Sequence, residues 1–270
     1  VALAGLYDRA GRDMDLVDTL TAELSLSESE SERVELLYRI GEVRRTRMKD
    51  LESSIESYRE ALLLDPSHGP SRAALEELLG NDDARREAAQ LLRPLYEADG
   101  LHEKLLRVLD IEAEFAEGVS DKLQVLALST QVAEERVGDA NKALEYASIG
   151  LRAAAGEAEL PDWLAVLHRL LGKTKRYQDG VDLLQALVPD ILDEEAALGV
   201  LLQIAEISRD QLGRNDLARN FFQKALELRS DDERALSALE SLHEALSEHV
   251  PLMDVLKRRA EAQDDPALKK

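Results

Sequence analysis

The strongest constraint in this sequence is a long pattern that recurs at a fixed distance. The stretch LYDRAGRDMDLVDTL at positions 6–20 returns as LYEADGLHEKLLRVL at 95–109, which is 89 residues later. At the same offset residues 31–66 match residues 120–155, and a third copy follows 75 residues further on, at 195–230. A sequence that repeats in this way indicates a structural unit that repeats.

The three copies agree in side-chain size at corresponding positions. Three sets of small residues and one set that includes two large aromatic residues coincide: Gly41, Thr130 and Ala205; Ser54, Ala143 and Ala218; Ala61, Gly150 and Ala225; Tyr58, Ala147 and Phe222. Small residues let two helices approach closely, and large apolar residues fill the space that remains. The copies therefore share one packing scheme.

Each copy is predicted to be a helical hairpin. Apolar residues recur over 33–48 with a period close to 3.6, and a second stripe runs from Leu51 to Leu62. Asp65-Pro66 ends the second helix, because proline is not tolerated inside a helix. Ser31 and Asp216 stand ahead of predicted helices and are expected to cap them. Aromatic residues make up only 4% of the chain, which argues against strands.

This pattern resembles the tetratricopeptide repeat, a helix–turn–helix unit of about 34 residues. The first copy matches the family signature at eight positions: Leu37, Ile40, Gly41, Ser54, Tyr58, Ala61, Leu62 and Pro66. The resemblance implies an all-α fold, a right-handed α-solenoid of stacked helical hairpins. We expect one solenoid over 1–270, with superrepeats at about 1–80, 81–165 and 166–246 and a truncated unit at 247–270.

The sequence departs from the family pattern in two ways. Each main unit is one residue longer than the family length, so the turn between its helices is expected to be loosened. The first superrepeat also carries about 14 extra residues, LGNDDARREAAQLL at 79–92, which are interpreted as an additional short helix. Both ends look cut, so we expect a fragment of a longer array with an exposed apolar face at its end.

Acidic residues outnumber basic ones by 55 to 34, which gives a formal net charge of −21. Such a surface repels phosphate backbones and anionic lipid headgroups, so neither nucleic acid nor a membrane surface is expected as a partner. No run of 18 apolar residues is present, and direct membrane insertion is not expected either. A protein with a basic surface is the better electrostatic match.

The sequence offers no pattern that carries chemistry. It contains no cysteine, and its five histidines lack the spacing that brings metal ligands together. Glycine-rich phosphate loops and the Gly-x-Ser-x-Gly motif are missing. Paired acids such as Glu134-Glu135 are interpreted as solvated charges on helix surfaces. We therefore expect a protein that is not an enzyme, with no catalytic residue, cofactor or metal.

Two features allow a structural and a functional interpretation. The cations Arg39, Arg44, Arg45, Arg47 and Lys49 either complement the end of a helix or grip an acidic loop of a partner. Trp163 is either a wedge between neighbouring hairpins or an anchor of an interface. The sequence alone leaves both choices open.

In the family that the sequence resembles, the first helix of each hairpin lines the inner wall of the superhelix. Transferring those positions gives ten candidate protein-binding residues: Glu35, Tyr38, Glu42, Arg45, Gln124, Gln131, Glu134, Leu202, Glu206 and Arg209. This surface is polar and mostly acidic. Some family members hold a carboxyl-terminal carboxylate with a Lys/Asn clamp, but Glu or Gln stands at those positions here, so that ligand is not expected.

The resemblance and the charge predict an interaction scaffold or adaptor that docks a protein of basic or mixed charge on its concave or edge surface. A regulatory or substrate-recruiting arm of a larger enzyme is the alternative, and a structural role in an envelope or motility assembly is a third. The absence of cysteine suits a cytoplasmic location. An envelope or periplasmic location stays open, because we expect the parent's own start to lie outside this sequence. The oligomeric state is not predicted.

Overall fold

The computed structural model describes residues 2–264, and within these residues the chain forms helices and no strand. The all-α prediction is therefore confirmed. The α-helices of this part of the chain are α1 Ala2–Ala10, α2 Asp13–Leu26, α3 Glu30–Val43, α4 Leu51–Leu64, α5 Gly69–Leu78, α6 Arg85–Asp99, α7 His102–Glu114, α8 Val119–Gln131, α9 Ala140–Ala153, α10 Leu160–Thr174, α11 Tyr177–Leu187, α12 Glu194–Asp210, α13 Asn215–Leu228, α14 Glu233–Ala245 and α15 His249–Asp264.

The chain divides between Val137 and Gly138 into two compact units, called unit 1 and unit 2 below. Unit 1 contains α1 to α8, and unit 2 contains α9 to α15. Within each unit a helix packs mainly against the helices before and after it in the sequence. This nearest-neighbour packing is typical of α-solenoids. The superrepeat boundaries given above stay a prediction, and the part of the truncated unit beyond residue 264 lies outside the described residues.

The small residues that coincide between the copies lie where helices come closest. Gly41, on α3, faces the ring of Tyr58 on α4, and a Cβ at Gly41 would lie only 2.5 Å from a carbon of that ring. Tyr58 and its counterpart Phe222 are both fully buried, as are Ser54 and Ala218 one turn earlier on the same helices. The matched positions of the first and third copies are therefore core positions.

The middle copy solves the same packing problem with a residue from the next helix. Ala147 replaces the aromatic residue on α9, and Gly150 one turn later is covered by the indole of Trp163 on α10. A Cβ at Gly150 would overlap that ring. Trp163 is therefore a buried wedge between α9 and α10, and its interpretation as an interface anchor is wrong.

The extra residue of each main unit is absorbed by a widened turn at the end of its first helix. α3 continues into a π-helical turn at Arg44–Met48, and α8 continues into another at Val132–Val137. In the third copy the amide of Leu212 donates to the carbonyl of Ile207 at 3.2 Å, which is also an i to i+5 bond. The expected loosening of the inter-helix turn is therefore present in all three copies.

Residues with a left-handed backbone follow these turns at the same offsets of 89 and 75 residues. They are Lys49, Gly138 and Gly213, with φ of 59°, 79° and 63°. The left-handed conformation ends the first helix and redirects the chain, and glycine adopts it without a steric penalty. Lys49 takes the same conformation with a side chain, so unit 1 carries backbone strain at this turn that glycine removes in the other copies.

Both N-cap predictions were wrong by two residues, because the caps are Ser29 and Arg214. α3 begins at Glu30, and the Ser29 hydroxyl accepts from the amide of Glu32 at 3.4 Å. Ser31 lies one residue inside the helix, because the alternating Ser-Glu segment offers a cap at every second position. Asp216 lies in the first turn of α13, where its carboxylate complements the helix dipole.

The second helix of the first and middle copies does have a side-chain cap. Asp50 accepts from the amide of Ser53 at 3.1 Å, and Asp139 accepts from the amides of Asn141 and Lys142 at 3.0 Å each. The hydrogen bonds from Ser53 hold the pKa of Asp50 below its ordinary value. Both aspartates coincide in the repeat alignment, so the repeat conserves the cap as well as the packing.

The extra residues 79–92 do not form a helix of their own. They form the connection after α5, at 79–84, and the first turns of α6. As a result two helices, α5 and α6, stand between α4 and α7, whereas α10 alone stands between α9 and α11. The segment between α4 and α7 thus has one more helix than the segment between α9 and α11, as expected, but the helix boundaries differ from the prediction.

Candidate protein-binding surfaces

The first-copy candidates lie along one face of α3 and the turn that follows it. Glu35, Tyr38, Glu42 and Arg45 are three or four residues apart, which places them side by side on a helix. Arg45 holds Glu42 with two hydrogen bonds, Nε to Oε1 and Nη2 to Oε2, each of 3.0 Å. Its remaining nitrogen, Nη1, donates to Glu77 on α5 at 2.5 Å. The guanidinium therefore joins two helices.

A buried hydroxyl completes this network. Tyr58 donates its hydroxyl proton to Oε1 of Glu42 at 2.5 Å. Burial, followed by the hydrogen bond to Glu42, raises the pKa of Tyr58 far above its ordinary value, and the hydrogen bond to Glu42 raises the pKa of Arg45. Tyr58 is thus a neutral donor and Arg45 a permanent cation at every physiological pH. We call Glu42, Arg45, Tyr58 and Glu77 the unit 1 network.

Tyr38 and Glu35 border this network beside the start of α5. The Tyr38 ring lies 6.2 Å from the ring of Tyr58 and 5.6 Å from that of His68, measured between centroids. His68 caps α5 through its Nδ1, and its Nε2 is 4.0 Å from a carboxylate oxygen of Glu35. Burial and the neighbouring Glu42 raise the pKa of Tyr38. Tyr38 is therefore a half-buried aromatic side chain surrounded by acids.

The second-copy candidates lie on α8 and on the π-helical turn that follows it. Gln124 and Gln131 are exposed, and they are two helical turns apart on the same side of α8. The Gln131 amide donates to Glu135 at 3.0 Å. Glu134 is half-buried. These side chains form an exposed polar row along the helix.

The third-copy candidates Glu206 and Arg209 line a groove between α12 and α14. The groove has a volume of about 410 Å³ and is lined by Glu206, Arg209, Glu233, Arg234, Ser237, Ala238 and Ser241. Arg234 donates to Oε1 of Glu206 at 2.8 Å, across the groove. Arg209 bonds Asp210 at 2.6 Å and lies 5.7 Å from the centre of the Phe222 ring. We call this the unit 2 groove.

Electrostatics keeps the Arg209 pair charged. The hydrogen bond to Asp210 raises the pKa of Arg209, and the same bond lowers the pKa of Asp210. Because Asp210 is exposed, this pair lies at the surface, where water screens it. The groove therefore presents both signs of charge to solvent.

Leu202 does not belong to the candidate surface, and its prediction was wrong. It occupies the same repeat position as the half-buried Tyr38, but it is only 2% exposed. α12 packs against both α11 and α13, and its apolar stripe is wide enough to include Leu202 beside Leu198 and Leu201. A leucine has no polar end to keep in water, so burial is its favoured state.

The arginine cluster at the end of α3 is mostly used within unit 1. Arg44 donates to the carbonyl of Ser53 at 3.2 Å and to the hydroxyl of Ser57 at 2.9 Å. Arg47 donates to Asp8 at 2.5 Å and to Asp13 at 3.3 Å. These bonds tie the turn to α1, α2 and α4, so Arg44 and Arg47, like Arg45, join helices of unit 1, a role that neither sequence interpretation named.

Sequence reasoning missed the helix that follows each matched hairpin. Glu77 on α5 completes the unit 1 network, and Ser237 and Ser241 on α14 complete the unit 2 groove. The repeat itself held a signal, because His68 and Asp232 stand at the same repeat position and cap these two helices. Within residues 2–264, no three His, Asp or Glu side chains converge as they would around a metal ion.

Helical hairpins that repeat with small residues at their closest contacts define a helical-repeat protein. The family model of the tetratricopeptide repeat matches residues 34–68 and 198–232. The resemblance to the tetratricopeptide repeat that the sequence predicted is confirmed for these two segments. The first match covers most of α3, which contributes Glu42 to the unit 1 network, and the second covers most of α12, which contributes Glu206 and Arg209 to the unit 2 groove. No helix in the described residues has the length and apolar character of a membrane span.

Three solved structures are similar to this chain at low sequence identity. A tetratricopeptide repeat protein from Parabacteroides merdae ATCC 43184 is 15% identical over 98% of this chain and 93% of its own, with a TM-score of 0.31. Naa15/Naa10 bound to HypK-THB is 16% identical over 98% of this chain and 50% of its own, with a TM-score of 0.28. The apo form of RapI is 14% identical over 96% of this chain and 94% of its own, with a TM-score of 0.26. TM-scores of this size carry no information about function. No curated protein matches the sequence.

Proposed function

We propose that this protein is a non-catalytic interaction scaffold that docks a protein partner of basic or mixed charge on the exposed faces of its tetratricopeptide repeats. The unit 2 groove is the observation that carries the proposal. Its lining contains the acids Glu206 and Glu233, the cations Arg209 and Arg234, and the hydroxyls of Ser237 and Ser241 on α14. A partner segment that carries both signs of charge finds a complement for each.

The unit 1 surface supports a preference for cations. The carboxylates of Glu42 and Glu77 bind the single guanidinium of Arg45, and Glu35 adds a third carboxylate about two helical turns before Glu42. Since the whole chain carries a formal net charge of −21, a basic partner is attracted from a distance as well as at contact. Charge complementarity of this kind gives specificity and fast association more than high affinity.

A peptide display library tests the proposal, with the 270-residue chain as bait. We expect enriched peptides to contain Lys or Arg, alone or mixed with Asp or Glu, and to bind more weakly as salt is raised. Glu206→Lys should weaken the best of them, and Glu157→Lys should not, because Glu157 is an exposed acid in the turn between α9 and α10. Enrichment of acidic or purely apolar peptides, or binding that salt and Glu206→Lys leave unchanged, would contradict the proposal.

A cytoplasmic location is part of the same proposal and rests on the absence of cysteine. Fractionation of the cells that naturally express this protein tests it. Recovery with a cytoplasmic marker supports the location, and recovery with an envelope marker contradicts it.

A further inference from the structure

Three successive helices, α13, α14 and α15, form a second cavity in unit 2. It has a volume of about 320 Å³. Its apolar lining comes from Leu226 on α13, Leu239 on α14 and Val255 on α15, and all three side chains are buried. It shares no lining residue with the unit 2 groove. We call it the α13–α15 cavity.

A buried histidine lines this cavity and leaves one of its two ring nitrogens unused. His243 is only 2% exposed, and its Nδ1 lies 2.7 Å from Oε2 of Glu248. Hydrogen bonds from Arg219 and from His243 hold the pKa of Glu248 below its ordinary value, so the carboxylate is ionised and Nδ1 donates to it. Nε2 makes no hydrogen bond within the described residues and is not sealed from solvent, so it is open to the cavity. In the neutral ring Nε2 is therefore a free acceptor.

A single offset of 147 residues relates this cavity to a site in unit 1. Gly100 and Ser247 both have a left-handed backbone, with φ of 67° and 57°, and they are 147 residues apart. The helices that follow them, α7 and α15, begin at the same offset. The residues of unit 2 that line the cavity at this offset from Glu76, Tyr96 and Lys104 are Gln223, His243 and Pro251.

In unit 1 a tyrosine and an ion pair fill this place. Tyr96 is 2% exposed, and its hydroxyl donates to Oε1 of Glu76 at 2.9 Å. Lys104 donates to the same oxygen at 2.6 Å, and its Nζ lies 5.6 Å from the centre of the Tyr96 ring. The three side chains join α5, α6 and α7.

Unit 2 replaces each of these three groups. The imidazole of His243 is smaller than a phenol, and Gln223 and Pro251 cannot form an ion pair. The α13–α15 cavity therefore corresponds to the place that a tyrosine side chain and its partners occupy in unit 1.

A smaller cavity in unit 2 shows that the next helix of the chain does not cover this position. α9, α10 and α11 form a cavity of about 50 Å³ that is lined by Leu167. Leu167 is equivalent to Leu239, because each lies eight residues before a left-handed residue, Lys175 and Ser247 respectively. This cavity is accessible although α12 follows α11 and packs against it. A following helix therefore leaves this kind of cavity open.

We propose that the α13–α15 cavity takes a tyrosine side chain of a partner protein, whose hydroxyl donates to Nε2 of His243. The ring packs on the apolar lining, as a buried tyrosine does when its hydroxyl finds an acceptor. The exposed rim carries two acids, Glu227 and Asp254, and one cation, Arg258, so a basic residue beside the tyrosine is favoured. This inference goes beyond the function proposed above, because it names an anchor residue and a second site. It rests on that function only in that the partner is a protein.

Two short peptides that differ in one hydroxyl test this inference. The first is acetyl-Gly-Lys-Tyr-Lys-Gly-amide, the second has phenylalanine in place of tyrosine, and both carry a fluorescent label. Titrated with the 270-residue chain, the tyrosine peptide should bind saturably. It should bind about three- to tenfold more tightly than the phenylalanine peptide, because only its hydroxyl can use the buried acceptor.

Two variants rebuild the filled site of unit 1. His243→Tyr fills the cavity from within, and Gln223→Glu combined with Pro251→Lys places an ion pair beside it. Each should weaken binding of the tyrosine peptide at least about tenfold. The double variant changes only exposed side chains, so it tests the inference even if circular dichroism shows that His243→Tyr alters the fold. The matched control is Gln211→Glu with Pro161→Lys, which makes the same exchanges at exposed positions outside the cavity and should leave binding unchanged.

The outcomes separate this inference from the function proposed above. Equal binding of the two peptides, no saturable binding of either, or unchanged binding by the double variant would overturn the inference. So would binding that is lost in Glu206→Lys and normal in the cavity variants. That last result would support the function proposed above, because the peptide would then occupy the unit 2 groove.

Discussion

The unit 1 network and the unit 2 groove are built from the same repeat positions, yet they differ in what holds their charges. Glu42 and Arg45 in unit 1 correspond to Glu206 and Arg209 in unit 2, 164 residues later. In unit 1 the arginine grips the glutamate with two hydrogen bonds, and Tyr58 donates a third. In unit 2 the arginine turns to Asp210 and to the Phe222 ring, while Glu206 bonds Arg234.

Two substitutions within the repeat account for this difference. Tyr58 becomes Phe222, so the hydroxyl that fixes the glutamate is lost, and Glu77 becomes Ser241, so the arginine loses its second carboxylate. Arg209 and Glu206 therefore pair with other residues, Asp210 and Arg234, and line an open groove instead of sharing one network. One repeat position can therefore serve the structure in one copy and remain available to a partner in another.

The largest expected effect is on the free energy of unfolding, and it comes from glycine substitutions on α3 and α12, the first helices of the two copies. Gly41→Val should destabilise unit 1 by about 3 kcal/mol or more, because its side chain must displace the Tyr58 ring from a packed core. Gly199→Ala on α12 is the control, since nothing lies within 4 Å of its Cβ position. It should stabilise unit 2 by about 0.5–1 kcal/mol through helix propensity. Urea denaturation of each variant measures both values. If Gly41→Val and Gly199→Ala changed the free energy of unfolding by the same amount and in the same direction, the proposed difference between α3 and α12 would be contradicted.

Removal of one hydroxyl tests the unit 1 network. Tyr58→Phe should cost about 1–2 kcal/mol, since a buried hydrogen bond to a charged acceptor is lost. In a double-mutant cycle with Glu42→Gln, most of this cost should appear as coupling between the two residues. Additive effects would show that the hydroxyl does not act through Glu42.

The raised pKa of Tyr58 predicts an alkaline effect on stability. The folded state favours the neutral phenol, so the stabilisation is present below the ordinary pKa of 10.0 and is lost as pH rises above it. The difference in stability between the wild type and Tyr58→Phe should therefore shrink above about pH 10. Denaturation curves at neutral and alkaline pH measure this difference. A difference that stays constant would contradict the assignment.

The smallest effect concerns the left-handed turn. Lys49→Gly should stabilise unit 1 by about 0.5–1 kcal/mol, because glycine removes the strain of the left-handed backbone and loses some chain entropy in return. Gly213 already occupies this position in unit 2, and Gly213→Ala should act in the opposite direction. Thermal unfolding of both variants gives the sign of each change.

The parts of this fold that could be predicted from the sequence are those where the same steric constraint recurs in each copy. Gly41, Tyr58 and their counterparts could be identified because the same close approach between helices recurs three times. The sequence could not show that Leu202 is buried while Tyr38 is half-buried. The repeat alignment gives a residue's position on its helix, but it does not give how much of that helix the neighbouring helices cover. Caps were missed because the Ser-Glu alternation leaves Ser29 and Ser31 equivalent in sequence.

The partners of the charged side chains were even harder to predict from the sequence. Arg47 reaches Asp8 and Asp13, which precede it by 39 and 34 residues, so its partners depend on how α1 and α2 pack. The groove was missed for the same reason, as half of it comes from α14. Repetition predicts the backbone and the core, whereas surface pairing depends on substitutions between the copies.

The most direct test of this account is to map a bound partner onto the two copies by NMR. The probe is the tightest peptide from the display experiment, titrated into the isotope-labelled chain. We predict shifts of Arg209, Arg234, Ser237 and Ser241 around the unit 2 groove, while Tyr58 and Glu77 of the unit 1 network stay unchanged. Shifts confined to the unit 1 network, with a silent groove, would contradict the account.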